Sequence, residues 1–409
     1  MRISNELESV YRSTITQKLD KKTKSLQFLP KSLEEISKKK HFYFSEKKLK
    51  TAYIIDIVHN MILKYYFKKE NKFTINATVL KQKYGHEYKS YVDFLIYTQI
   101  IKMKCNYKAG VTSRIYELNP ITFKQPISRV KNDDKVLLKK YKKKIYDTID
   151  FVKKDDSSIQ PEIREKLISD LFSVDIDLQR SIFFLNCLKK EDIDIYNRNI
   201  YSVESINDKH IFYHFDNYGR LHTNFTILKS FIRKNCLLID GEETCEIDIS
   251  NSQPLFLCKL IQDSHTNWVN KEEFEFFRTL VINGTFYQYV MQVIGEKDRN
   301  KVKEMTYKVL FGHNRINSKS DKLFSQMFPT IHHFIKLYKK EWGNHKIVAH
   351  DLQRAESNLI YNKIIKKVML LHPEIKIITV HDSIIFAKKY RQIVQSIFDY
   401  ELSNEFNLK

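Results

Sequence analysis

Cys245-Glu246-Ile247-Asp248-Ile249-Ser250-Asn251-Ser252-Gln253-Pro254 is the stretch from which the fold is read. Its alternation predicts a strand with Cys245, Ile247 and Ile249 on one face and Glu246 and Asp248 on the other. Asp248 then sits at the exposed end of an otherwise buried strand. Pro254 is expected to stop the strand, and Leu255, Phe256 and Leu257 begin a helix. Further on, Lys376-Ile377-Ile378-Thr379-Val380-His381-Asp382-Ser383-Ile384-Ile385-Phe386-Ala387 places two apolar β-runs around a polar His-Asp-Ser tip. That pattern predicts a buried hairpin with a carboxylate at its turn, and such a hairpin brings Asp382 beside Asp248.

Between these segments lies Arg299-Asn300-Lys301-Val302-Lys303-Glu304-Met305-Thr306-Tyr307-Lys308-Val309-Leu310-Phe311-Gly312. On a helix, Val302, Met305, Thr306 and Val309 form the core-facing stripe. Arg299, Lys303, Tyr307 and Phe311 recur every fourth residue along an adjoining face. Two cations followed by two aromatics suit a polyanionic ligand with a flat ring, the cations holding phosphates and the aromatics offering a surface to base and sugar. Upstream, Phe215-Asp216-Asn217-Tyr218-Gly219-Arg220-Leu221-His222 reads as a tight turn. Gly219 lets the backbone approach a phosphate and the Arg220 guanidinium can fork onto it.

In this order the four segments resemble the palm and fingers motifs of family A DNA polymerases and phage-type single-subunit RNA polymerases. The turn is similar to the DxxGR or TxxGR signature, the Asp248 strand to motif A, the Arg299 helix to the fingers helix with its arginine, lysine and aromatic-glycine spacing, and the hairpin to motif C. The resemblance covers roughly residues 206 to 409 and implies a right-hand polymerase with an antiparallel-sheet palm and helical fingers. It implies that Asp248 and Asp382 bind two Mg²⁺ ions, which activate an attacking hydroxyl and stabilise a leaving pyrophosphate. Arg299 and Lys303 would bind triphosphate, and Tyr307, Phe311 and Gln253 would shape the nucleotide pocket. Template or primer contacts would fall to Asp216, Gly219, Arg220, His381 and Gln353. Glu356, near Gln353 on a helix from Asp351 to Met369, matches nothing in the family and is expected at a solvated position. Gln253 stands where the DNA enzymes carry a glutamate and is bulky, favouring deoxynucleotides, whereas Phe311 and Ser383 depart from the DNA enzymes.

Formal charge is +21, spread along the 409 residues. Nucleic acid is the natural partner, because releasing its condensed counterions needs many cations over a broad surface; an AT-rich genome would also load a chain with lysine. The five cysteines, Cys105, Cys187, Cys236, Cys245 and Cys258, form no CxxC pair and read as reduced, mostly buried thiols. No apolar run approaches the roughly 20 residues of a membrane span, and MRISNELESV does not read as a signal peptide. A cytoplasmic protein without membrane contact is expected.

The expected fold class is α+β, with the polymerase part preceded by a helical region and a winged-helix-like module. Residues 1–48 read as a basic arm. In 49–125, Ile54, Ile55, Val58, Ile62, Leu63 and Tyr66 have helical period and are followed by a short strand, an Asn76 cap, a helix, a turn at Gly85, a second helix and two β-runs. That order resembles a winged helix-turn-helix with nucleic-acid contacts at His86, Lys89, Ser90, Lys102, Lys104, Lys108 and Arg114. Residues 126–205 read as a charged, thumb-like helical region, with 206–262 as the first part of the palm, 263–344 as fingers and 345–409 as the second part of the palm. The function implied is DNA-directed DNA synthesis in a mobile-element, plasmid or phage replication system, without proofreading, on a DNA template and primer with nucleoside triphosphates. RNA and replication accessory proteins are further expected partners. The alternatives are a single-subunit RNA polymerase or primase, and a non-catalytic DNA-binding replication initiator.

Overall fold

A computed structural model describes residues 27–68, 70–74, 76–105, 114–140, 159–314 and 318–407. The chain mixes helices and antiparallel strands and divides into two compact units. Described residues up to 140, with 172–212 and 223–241, form the first; 159–171, 213–222 and 242–407 form the second. Among the described residues no helix is long and apolar enough to cross a membrane.

The first unit is built on the helix Thr51–Lys68, whose Ile54, Val58 and Ile62 are fully buried. After it come the strand Lys72–Thr74, helices Ala77–Tyr84 and Tyr88–Tyr97, and strands Ile101–Cys105 and Ile115–Leu118. The last strand lies between the other two and pairs antiparallel with both. Asn76 caps the first short helix, its Oδ1 accepting from Thr78 N at 2.9 Å and Val79 N at 3.2 Å, which satisfies amides that a helix start leaves open. The helix–strand–helix–helix–strand–strand order is the one read from the sequence.

Residues 27–48 are not an arm. Gln27–Pro30 is a buried strand paired with Ile127–Val130, and His41–Phe44 forms a hairpin with Lys47–Lys50. Phe28 and Leu29 sit in the core, and Gln27 Nε2 donates to buried Asp56 at 2.8 Å. In the second strand of that hairpin Lys47, Lys48 and Lys50 are exposed while Leu49 is fully buried; residues 1–26 lie outside the described residues. Two further expected boundaries move. The thumb-like stretch 126–205 is split between units, and 223–241 belongs to the first unit instead of sharing a unit with the Asp248 strand.

In the second unit, strand Ser383–Ala387 lies between Glu242–Asp248 and Ile378–Val380, antiparallel to both. Helix Pro161–Leu171 protects the approach to the outer strand: Asp170 Oδ2 accepts from Ile377 N at 2.8 Å and Lys166 Nζ donates to Ile375 O at 2.9 Å. Helix Ser252–Asp263 starts earlier than Pro254 suggested. Proline is tolerated there because a first-turn amide has no helical partner to lose. Helix Ile347–Ser357 runs into a π-helical segment, Asn358–Ile365, and then Lys366–Leu371. Insertions of π geometry inside a helix occur most often at functional sites.

Candidate active site

Strand register carries the two aspartates to one place. Asp248 ends its strand opposite Ser383, and Ile249 N donates to Asp382 O at 3.4 Å, so the exposed Asp248 at a strand end adjoins the turn that carries the half-buried Asp382. His381 and Asp382 make the hairpin turn, with His381 at φ +56°, a left-handed conformation that a side chain other than glycine, Asn, Asp or His seldom adopts. Ser383 Oγ donates to Glu246 Oε1 at 2.8 Å. Burial, and then the negative charges of Glu356 and Asp248, push the Asp382 carboxyl up to about 6, while Lys303 draws it down. Among the described residues no group of three or more His, Cys, Asp or Glu side chains forms a metal cage.

Helix Arg299–Phe311 has the faces expected of it. Val302, Met305, Thr306 and Val309 are buried, whereas Arg299 and Lys303 are exposed. Lys301 and Lys308, on its other faces, pair with Glu296 and Glu304, but among the described residues Arg299 and Lys303 form no ion pair. Arg299 lies over the Tyr287 ring at 4.8 Å, Lys303 lies 5.7 Å from the Tyr307 centroid, and Tyr307 stacks on Phe311 at 5.3 Å and 26°. Burial, with Asp382 and Glu356 adding to it, raises the Tyr307 phenol to about 12. At the helix end a Cβ on Gly312 would meet Lys308 O at 2.3 Å, so only glycine fits. Buried Lys339 closes that end, donating to Val309 O at 2.8 Å and Gly312 O at 2.9 Å.

The Asp216–Arg220 turn is used internally. Asp216 Oδ1 accepts from Tyr218 N at 2.9 Å and Arg220 N at 3.0 Å, and Gly219 supplies φ +81°. Burial opposes ionisation of Asp216, but the His222 hydrogen bond at 2.8 Å and the two amides hold its carboxyl below the ordinary range. His222 in turn meets the His381 ring at 5.9 Å, edge to face. The Arg220 side chain turns to a buried carboxylate: its Nε donates to Glu356 Oε1 at 3.0 Å and Nη2 donates to the same oxygen.

Glu356 corrects the expectation of a solvated position. It is 1% exposed, and its other oxygen accepts from Ser252 Oγ at 2.6 Å and Gln253 Nε2 at 2.8 Å. The helical period already contained this result, since Leu352, Leu359 and Ile360, four before and three and four after, are all buried. Gln353 is half-buried. Tyr287, Tyr218 and Tyr361 also escaped the sequence reading. Tyr218 stacks on His350 at 4.2 Å, and the Tyr361 hydroxyl accepts from Leu221 N at 3.2 Å.

In the first unit, Lys89 and Arg114 line one cleft of about 570 Å³ with Asn76, Thr78 and Tyr88, and both are exposed. Lys104 is engaged with Glu117 at 2.7 Å. Lys108 lies outside the described residues. Cys236 and Cys258 are buried, Cys105 and Cys245 half-buried and Cys187 exposed. No protein-family model matches the chain, and no curated protein matches its sequence.

Proposed function

We propose that the chain is a template-directed nucleotidyltransferase whose reaction centre lies in the second unit. The observation that carries this reading is the pairing of Asp248 with Ser383, which sets one carboxylate at a strand end and the other in the adjoining hairpin turn, while among the described residues Arg299 and Lys303 have no carboxylate partner. Hard oxygen donors at a place where Asp382 is held up by neighbouring negative charge suit a divalent cation such as Mg²⁺. Asp248 and Asp382 would hold it, with phosphate oxygens and water completing the shell; when bound, such ions supply a lowered pKa at the attacking hydroxyl and charge at the leaving group.

The chain's own residues then have distinct tasks. Arg299 and Lys303 hold the triphosphate; a fixed cation stabilises phosphate charge without reorganising during reaction. Tyr307 and Phe311, stacked, give base and sugar a flat wall. Lys303 also lowers the proton affinity of Asp382, keeping it ionised near neutrality. The first unit, read as a winged helix with Lys89 and Arg114 facing one cleft, binds nucleic acid.

DNA synthesis is the leading reading. RNA synthesis is the second, because Phe311 and Ser383 depart from the residues of the DNA enzymes. Primer extension on a DNA template with Mg²⁺, supplying deoxynucleotides and ribonucleotides separately, tests the function. Extension that disappears in Asp382→Asn supports it, and no extension with either sugar overturns it.

A further inference from the structure

The hairpin of strands His41–Phe44 and Lys47–Lys50 in the first unit has one face committed to packing and one turned to solvent. Successive side chains of a strand alternate between faces. Phe42 and Phe44 meet the Phe94 ring at 5.4 and 5.9 Å, and Leu49, opposite Phe42, is fully buried. That fixes the outward face as Tyr43 with Lys48 across from it, and His41 with Lys50 across from it. Tyr43 is 75% exposed, and among the described residues its ring packs on no other.

The cations of this hairpin differ in what holds them. Lys50 lies 3.6 Å from Asp134 and 4.9 Å from the Tyr53 centroid, and Lys47 lies 4.0 Å from Glu87. Lys40 and Lys48 are exposed and, among the described residues, have no ion-pair partner. Desolvation, and then the charges of Lys48, Lys40 and Lys50, hold the His41 imidazole below its ordinary range, which agrees with cations gathered on one side of the hairpin. A flat solvent-facing ring among cations free of carboxylates matches a chain of phosphates carrying unstacked bases. Every base has a π-face to lay on such a ring, and ammonium groups release the counterions of the phosphates. A duplex cannot meet the ring in this way, because its bases are already stacked within it. A lipid surface fits less well, since Ser45 and Glu46 at the tip are polar and exposed and a carboxylate there opposes insertion.

We infer that the outward face of this hairpin binds single-stranded nucleic acid, an unpaired base stacking on Tyr43 while Lys48 and Lys40 meet the phosphates beside it. The surface is distinct from the cleft of Lys89 and Arg114. The hairpin packs on the Tyr91 and Phe94 side of helix Tyr88–Tyr97, with Lys50 N donating to the Tyr91 hydroxyl at 3.1 Å, whereas Tyr88, Lys89 and Val92 line the cleft. The inference needs no reaction centre and does not rest on the nucleotidyltransferase reading. Binding should be tolerant of sequence, because the ring stacks on any base.

The test is fluorescence anisotropy of a labelled oligothymidylate of about 12 nucleotides with the full-length chain, in EDTA and without nucleoside triphosphates. An abasic oligomer and a duplex of the same length are measured beside it. Tyr43→Ala should weaken binding of the oligothymidylate by about tenfold and leave the abasic oligomer and the duplex unchanged, and Tyr43→Phe should bind as the wild type does, because the ring and not the hydroxyl stacks. Lys48→Gln should weaken the oligothymidylate and the abasic oligomer alike and reduce the slope of log K against log salt by about 0.7. Tyr400→Ala is the control and should change nothing, since it removes an exposed tyrosine of the second unit that also has a lysine, Lys367, 5.0 Å from its ring centroid. Wild-type affinity in Tyr43→Ala overturns the inference. So does an equal loss on the abasic oligomer, which assigns the effect to a disturbed hairpin, or an equal loss in Tyr400→Ala. Binding to anionic lipid vesicles that Tyr43→Ala abolishes, with the oligothymidylate unaffected, overturns it in favour of a membrane surface. A chain that extends primers and fails this test keeps the proposed function and loses the hairpin site; one that passes and extends nothing does the reverse.

Discussion

Arg220 and Glu356, 136 residues apart in the sequence, form an ion pair in which the carboxylate side chain is 2% exposed and the guanidinium side chain 17%. The pair fastens the Asp216–Arg220 turn to the helix that leads into the π-helical segment. Four donors from three residues converge on Glu356: Nε and Nη2 of Arg220, Oγ of Ser252 and Nε2 of Gln253. A buried pair of this kind contributes less through its own attraction than its loss would cost, because removing one partner strands the other.

Glu356→Ala should therefore destabilise the second unit by about 3 kcal/mol, since it leaves Arg220, Ser252 and Gln253 without their acceptor. Arg220→Met combined with Glu356→Leu removes both charges together and should cost much less than the sum of the single changes. Urea denaturation of the four proteins gives the coupling energy. Strict additivity would show that the pair is energetically idle.

Asp382 gives a pH dependence with a defined sign. Its carboxyl titrates near 6 in the folded chain because burial and the charges of Glu356 and Asp248 oppose ionisation; in the unfolded chain it returns to about 3.9. Between about pH 4 and 6 the folded form holds more protons, so this group's contribution makes stability fall as pH rises through that interval. Asp382→Asn abolishes the penalty and should stabilise the metal-free protein at pH 7.5 by about 1–3 kcal/mol, while eliminating extension. Thermal melts in EDTA across pH 4 to 7.5, wild type against variant, are the check. Under the proposed function, wild-type activity rises with pH through the region near 6 as the carboxylate becomes available to a cation.

The sequence reading succeeded where local pattern and tertiary role coincide. Alternation around Ile247 and Ile249, the apolar runs on either side of His381-Asp382, and the spacing of Val302, Met305, Thr306 and Val309 each depend on a period that burial enforces. The pairing of Arg220 with Glu356 is not legible because the partner is remote in sequence, and a guanidinium reads the same whether it faces phosphate or a buried carboxylate. Glu356 was misjudged by residue type, although Leu352, Leu359 and Ile360 put its helical position on the buried face. Residues 27–48 were taken for an arm because lysines outweigh the inward residues of short edge hairpins, and the pairing of Gln27–Pro30 with Ile127–Val130 spans too much chain for a local pattern to show.

Arg299 and Lys303 are exposed and, among the described residues, without an ion-pair partner on their helix face. Arg299→Ala and Lys303→Ala should change folding stability by no more than about 0.5 kcal/mol, as surface substitutions usually do. Under the proposed function each should reduce kcat/KM for nucleotide by about 10² or more, from lost charge stabilisation. Lys301→Ala, on the same helix but paired with Glu296, is the control and should be nearly silent. Equal effects at Arg299, Lys303 and Lys301 would mean that diffuse positive charge, not a shaped phosphate site, is what matters.

Lys339 sets the far end of that helix. It is 2% exposed and donates to the carbonyls of Val309 and Gly312, so a cation stands where the helix dipole is negative and terminal carbonyls lack partners. Burial, reinforced by Lys336, lowers its ammonium to about 8. The unfolded value is near 10.4, so between pH 8 and 10 the unfolded chain holds more protons and this group's contribution makes stability rise with pH. The neutral amine still donates to both carbonyls, whereas Lys339→Met donates to neither. Wild type should therefore gain about 1–3 kcal/mol over Lys339→Met as pH is raised from 8 to 10. A difference that stays flat would show that the ammonium is solvated and that the helix end is held by packing around Phe334 and Ile335 instead. Because Tyr307 and Phe311 occupy the last turns of the same helix, Lys339→Met should also weaken nucleotide binding at pH 7.5 while leaving Arg299 and Lys303 in place.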